Sequence, residues 1–219
     1  MDDSLSPLII SFKTAGFATC AAGVGGIAAA RFLAARPAPQ RFFLEILILI
    51  PLVLPPTVIG YGLLLLIGQH GPLGQLLNFL GADTLIFTWW AAALAAAIVS
   101  FPIMYLSARA AFQNVDAGLL DAARVFGAGR LRRFLDVLLP LASPGLCAGL
   151  LMSFARALGE FGASLMVAGH LPGRTETIPM RIFFAVEAGE SRAALYWSLI
   201  ALSLAGFVLG LVQIISRRS

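Results

Sequence analysis

From Ile46 to Ala82 the chain carries no Asp, Glu, Lys or Arg, a run nearly twice the ~20 apolar residues that one helical crossing of a bilayer needs. No other feature restricts the fold as tightly. An ionised side chain at mid-bilayer costs ~2.5 to 3.5 kcal/mol even on the lenient insertion scale. Uncharged runs therefore mark where the chain can sit in lipid, and charges mark where it leaves. Spans are expected at about 8–33, 43–67, 84–108, 143–168 and 193–216. The sequence Gly68-Gln69-His70-Gly71-Pro72-Leu73-Gly74 interrupts the longest run and predicts a surface or re-entrant piece after the second span. Such runs lack the alternating ~10-residue segments of a membrane barrel, so the expected fold is all-α: a polytopic membrane helical bundle of about five transmembrane helices. With no internal repeat or low-complexity linker, residues 1–219 read as one domain.

Composition agrees. Of 219 residues, 59% are hydrophobic and 12% charged, with mean hydropathy +0.92, against ~25% charged in a soluble domain. The 22 glycines and 12 prolines suit transmembrane helices, which carry more of both than soluble ones. Met1-Asp2-Asp3 lacks the basic n-region of a signal peptide, so the first apolar segment is expected to be retained. Cys20 and Cys147 lie in apolar stretches without metal-like spacing and read as small buried residues.

The formal charge of +4 reports topology first and gives no reason to expect nucleic acid. Arg31, Arg36, Arg41, Arg109, Arg124, Arg130, Arg132, Arg133, Arg217 and Arg218 fall on one side. Lys13, Arg174, Arg181 and Arg192 fall on the other, diluted by Asp2, Asp3, Asp83, Glu176, Glu187 and Glu190. The positive-inside rule then puts the N-terminus outside and the C-terminus in the cytoplasm.

The segment 109–142 is long for a connection within a bundle, where ~2 to 8 residues is usual. Asp116 can cap a helix carrying Leu119, Leu120, Ala123 and Phe126 at helical spacing. Gly127-Ala128-Gly129 then permits a sharp turn into a second, basic helix. Physics alone leaves two readings open: a docking element for a soluble partner, or a helix in the headgroup layer with Arg130, Arg132 and Arg133 on anionic lipid.

Asp121-Ala122-Ala123, three residues, Gly127, nine residues, then Val137-Leu138-Leu139-Pro140 resembles the Glu-Ala-Ala loop of ABC importer permeases. Asp121 and Val137 stand where that pattern has Glu and Ile. Leu52 to Tyr61, Ser153 to Ala163 and Leu171 to Pro179 resemble the molybdate-type permeases within that group, with sulfate, thiosulfate and tungstate permeases as close alternatives. The resemblance implies a type I importer permease in a bacterial plasma (inner) membrane. It further implies a homodimer enclosing the path, two cytoplasmic ATP-binding subunits and an extracytoplasmic oxyanion-binding protein. Asp121, Ala122, Ala123, Gly127 and Pro140 become the coupling residues that the ATP-binding subunit receives.

Within the spans, Pro51, Pro55 and Pro56 free backbone carbonyls at membrane depth, which persists only beside protein or a water-filled cavity. Pro55, Pro56, Thr57 and Tyr61 are therefore candidates for the path, although a kink satisfied by neighbouring helices is an equal alternative. Arg156 and Glu160, four apart on one helical face, can neutralise each other and read as a structural or gate element. Gly159 and Gly162 permit close helix approach at that level, and Gly206 and Gly210 read as packing. His70 and His170 are expected near the surface, and Arg174, Glu176, Arg181, Glu187 and Glu190 as a docking rim. No phosphate-binding Gly-x-x-x-x-Gly-Lys-Ser/Thr motif or nucleophile constellation is present. The chain reads as a non-enzymatic transport subunit with no cofactor and no metal. A secondary transporter remains a rival, requiring ionisable relays within the membrane.

Overall fold

The computed structural model describes residues 5–81 and 83–216. Ten helices account for the described architecture: α1 Ser6–Ala34, α2 Ala38–Val53, α3 Pro56–Ile67, α4 Pro72–Phe79, α5 Trp89–Gln113, α6 Ala117–Val125, α7 Arg130–Leu158, α8 Gly162–Ala168, α9 Ile178–Glu187 and α10 Ser191–Ser216. α1, α5, α7 and α10 are each long and apolar enough to cross a bilayer, and α2 with α3–α4 forms a broken fifth element.

The centre of the bundle is α5. Ala91, Ala92, Ala93, Ala95 and Ala96 are all buried there, because small side chains let backbones approach closely where lipid supplies no hydrophobic drive. α1 meets it with its own small stripe: a Cβ on Gly26 would lie 2.8 Å from Met104 Cγ and 3.0 Å from the Tyr105 amide nitrogen. Thr88 caps α5, its Oγ1 accepting from the Ala91 N–H at 3.3 Å. At that same end Lys13 Nζ sits 3.8 Å from the Trp89 ring centroid, an interfacial aromatic with a cation on it. α10, by contrast, is the least enclosed of the long helices.

The second apolar run is no single rod. Pro55 and Pro56 lack N–H groups, α2 stops at Val53, and α3 with α4 turns away by 111°. The fourth run differs from the expected 143–168. Its continuous helix starts at Arg130 and ends at Leu158, and 162–168 is a separate short helix. The second basic helix of the loop is thus the base of α7 and extends straight into the apolar core. A π-helical turn, Arg133–Leu138, lies at that junction. Pro140 can neither donate to the carbonyl four residues back nor fit against it, and the wider turn moves the register past it. Pro144 likewise frees the Pro140 carbonyl, which accepts from Ser143 Oγ at 2.7 Å.

Cys20 and Cys147 are exposed on the surface of the bundle, contrary to the buried reading. Helix-surface positions in a membrane protein face lipid, so an apolar setting in sequence does not mean an interior one.

Candidate translocation path and coupling surface

Two helix breaks meet face to face. The Pro55–Pro56 break between α2 and α3 lies against the Gly159–Phe161 break between α7 and α8: a Cβ on Gly162 would stand 3.0 Å from Pro56 Cβ. One turn on, a Cβ on Gly60 would stand 2.9 Å from Met166 Cβ and 3.1 Å from Ala163 Cα. α3 and α8 are therefore locked face to face through glycines, and Ile59, Leu63, Ala163 and Val167 close the packing behind them.

Glu160 sits in the α7–α8 break with 3% of its surface exposed. Its Oε2 lies 2.9 Å from Arg156 Nη2, and its Oε1 accepts from the Ala163 N–H at 3.0 Å. The carboxylate thus has two jobs: it neutralises Arg156 and satisfies a free donor at the start of α8. The i,i+4 spacing anticipates the first of these and not the second, which exists only because the helix breaks at Gly159.

Pro55, Pro56, Thr57 and Tyr61 are all exposed, Tyr61 to 58%. Pro55 and Pro56 leave the carbonyls of Pro51 and Leu52 without helical donors. The Thr57 hydroxyl makes no hydrogen bond to another described residue. This face carries hydroxyls and loose backbone acceptors, and a single chain leaves it open.

At one end of the bundle, α6 stands off from the body. Asp116 Oδ1 accepts from the Gly118 N–H at 2.8 Å to start it. Gly127, at φ +82°, ends it: the Ala128 N–H donates to the Ala123 carbonyl and the Gly127 N–H to the Arg124 carbonyl, both at 3.0 Å. That pairing is a Schellman cap, for which glycine is the usual residue. Leu120 and Ala123 turn toward the protein, whereas Asp121 and Ala122 face outward. Phe126, expected on the covered face, is instead 90% exposed, with Val125 at 85%. The Schellman turn swings that last residue off the helix's inner face. Pro140 is exposed one π turn up α7.

Other residues fall into two further clusters. Glu45, which the sequence reading does not single out, fixes α2 to α5: Tyr105 donates its hydroxyl hydrogen to Glu45 Oε1 at 2.7 Å, and Arg109 Nη1 and Arg41 Nε each lie 3.0 Å from the same oxygen. The Arg41–Glu45 spacing of four was the available signal. At the opposite end, Glu176 is 4% exposed and so is no rim residue. His170 Nε2 lies 2.9 Å from its Oε1, and the His170 ring stacks on Phe184 at 3.7 Å. His70 is exposed, as expected. Among the described residues no cluster of His, Cys, Asp and Glu is arranged to hold a metal.

Residues 22–218 match the family of binding-protein-dependent transport system inner membrane components. The chain belongs to this family. Among its relatives, the molybdenum transport system permease protein ModB of Escherichia coli (strain K12) is 40% identical over 195 residues, covering 88% of this chain and 85% of that one. Its counterpart in Azotobacter vinelandii is 34% identical over 217 residues, 99% and 96% of the two chains. In three dimensions, the bacterial alginate ABC transporter in complex with its pentasaccharide-bound periplasmic protein superposes with TM-score 0.75 at 16% identity, over 100% of this chain and 80% of that one. The inward-facing MetNI methionine ABC transporter gives 0.67 at 17%, over 97% and 92%. At those identities the likeness is one of fold, and it is the fold of ABC importer permeases. As a member of this family the chain is a multi-pass membrane transport component without enzymatic activity of its own.

Proposed function

We propose that this chain is the membrane subunit of an ATP-driven molybdate importer in a bacterial inner membrane. It works as a homodimer with two cytoplasmic ATP-binding subunits and an extracytoplasmic oxyanion-binding protein. The observation that carries the coupling half of this reading is α6: a capped helix held off the body, with Asp121, Ala122, Val125 and Phe126 outward, a shape suited to insertion into a partner groove. The substrate half is supported by relatives named for molybdenum transport that align over most of their length. The arginine-rich α6 end is the cytoplasmic one by the positive-inside rule, which puts the N-terminus outside.

In this reading ATP closes the paired ATP-binding subunits and draws the two α6 elements together. α7, continuous from Arg130 beside α6 to Leu158, carries that movement to the Arg156–Glu160 break and to the facing Pro55–Tyr61 surface. Asp121 can pair with a partner cation and Gly127 fixes the helix end. Pro55, Pro56, Thr57 and Tyr61 line the path between two copies, and Arg156 with Glu160 holds its shape.

The test is uptake of labelled molybdate into vesicles holding the complete transporter and its binding protein. Uptake should require ATP and be suppressed by excess tungstate but not by sulfate. Strong competition by sulfate would move the substrate to the sulfate and thiosulfate branch, and tungstate taken up in preference to molybdate would make it a tungstate permease. Uptake without ATP would point to a secondary transporter and overturn the reading.

A further inference from the structure

Five arginines from four helices line one cleft of about 320 Å³ beside α6: Arg31 of α1, Arg41 of α2, Arg109 of α5, and Arg130 and Arg133 of α7. Among the described residues one acid meets them. Glu45 contacts Arg41 and Arg109 through a single oxygen. Among the described residues Arg31, Arg130 and Arg133 form no salt bridge. The Nε atoms of Arg109 and Arg133 are buried without a hydrogen-bond partner. Guanidinium cannot shed its proton in a protein, and a buried donor left unmade costs its full desolvation. The cleft is therefore built for an anion with several acceptor oxygens, the geometry at which arginine forks excel.

A second hollow, about 830 Å³, opens beside it and shares Arg31, Arg130 and Phe134. Its further wall is apolar: Val24, Ile27, Ala28 and Phe32 of α1 face Leu139 of α7. From Arg31 back to Val24 the helix rises ~10 Å, leading from the charged end toward the middle of the bundle. A free inorganic oxyanion would use the cleft and leave this groove without a role. Basic pockets between transmembrane helices at the cytoplasmic face are suited to lipid head groups.

We propose that cleft and groove together bind one anionic phospholipid, its phosphodiester among Arg31, Arg109, Arg130 and Arg133 and an acyl chain along Val24, Ile27 and Leu139. A zwitterionic lipid would bring an ammonium into the same cluster and be disfavoured. Leu120 of α6 also borders the cleft, so the lipid would sit where α6 joins the bundle. This site is independent of which anion the transporter carries.

The experiment is native mass spectrometry of the purified transporter complex offered phosphatidylglycerol or phosphatidylcholine of the same acyl chains. It is paired with photo-crosslinking by a head-group diazirine phosphatidylglycerol. Phosphatidylglycerol should be retained roughly tenfold better, with head-group crosslinks around Arg31, Arg109, Arg130 and Arg133. Arg31→Gln with Arg130→Gln should bring retention down to the phosphatidylcholine level, while Arg31→Lys with Arg130→Lys, which keeps the charge, should preserve the preference. Equal retention of the two lipids, crosslinks elsewhere, or a preference that survives the Gln pair or is lost in the Lys pair would overturn the proposal. Displacement of the lipid by millimolar molybdate or phosphate would overturn it in favour of a free-oxyanion site. If the Gln pair does not fold, lipid preference and crosslink position in the unaltered complex still decide the matter.

Discussion

At Gly127 a single Cβ separates two effects that usually arrive together. Nothing lies within 4 Å of where that Cβ would be, so Gly127→Ala meets no atom and bears only the left-handed backbone cost, about 1 to 2 kcal/mol. The bundle should insert and melt as before, while the end of α6 frays and ATP-dependent uptake falls several-fold. Uptake and ATPase rates measured together test this, and unchanged coupling would remove the Schellman cap from the docking role. Glu160 poses the complementary case. Glu160→Gln keeps an acceptor for the Ala163 N–H but loses the charge facing Arg156, whereas Glu160→Ala loses both. Melting temperature in detergent should fall in the order wild type, Gln, Ala, with the Gln-to-Ala step about 1 kcal/mol for the unmade donor. Equal melting of the two variants would show that the bond to Ala163 contributes nothing. The ion pair was legible from spacing, since residues four apart share a helix face. The cap was not, because sequence periodicity carries through Gly159 as though the helix continued.

Among the helices, α2 has no buried residue at all. It is held by the partly buried Leu44, Ile48 and Leu49 packed on the core and by Glu45, whose oxygen is shared by Tyr105, Arg109 and Arg41. Removing the Tyr105 donor by Tyr105→Phe should cost about 1.5 to 3 kcal/mol, the range for a bond to a charged group. Glu45→Ala should cost more, because it strands two arginines. Hydrogen exchange read by mass spectrometry should show both variants accelerating exchange in 38–53 with little change in α5, and a protected α2 in Glu45→Ala would show that something else holds it. The sequence exposes the broken second run through its prolines, whose missing N–H is a local fact. It conceals the length of α7, because Arg130, Arg132 and Arg133 look like an exit from lipid. Long arginine side chains can instead reach the head groups from a helix that continues, and the helix simply starts outside the membrane. The sequence also hides the role of Glu45: a charge beside an apolar run marks no partner, and only the tertiary fold brings Tyr105 and Arg109 to it.

The whole molecule leaves a surface that one chain cannot account for. Val53 is 85% exposed, Val58 48% and Tyr61 58%, all near a backbone break whose carbonyls cannot be left facing hydrocarbon. Lipid would suit the two valines but not the freed acceptors or the Thr57 hydroxyl. In the proposed homodimer a second copy related by a two-fold axis would cover the apolar part and enclose the polar part around water, the isologous contact that such a dimer requires. Cysteine placed on this face should then find its own counterpart. Cys20 and Cys147 are exposed, so both are first replaced by Ser. In that background Val58→Cys or Tyr61→Cys should yield a disulfide-linked dimer on mild oxidation in the membrane, since bridging requires Cα atoms within ~7 Å or thermal motion that brings them there. Val24→Cys, on the groove assigned to lipid and 76% exposed, should stay monomeric under the same oxidation. Dimer formation at Val24 with none at Val58 or Tyr61 would place the two-fold axis on α1, turn the Pro55–Tyr61 face toward lipid, and remove the path from it.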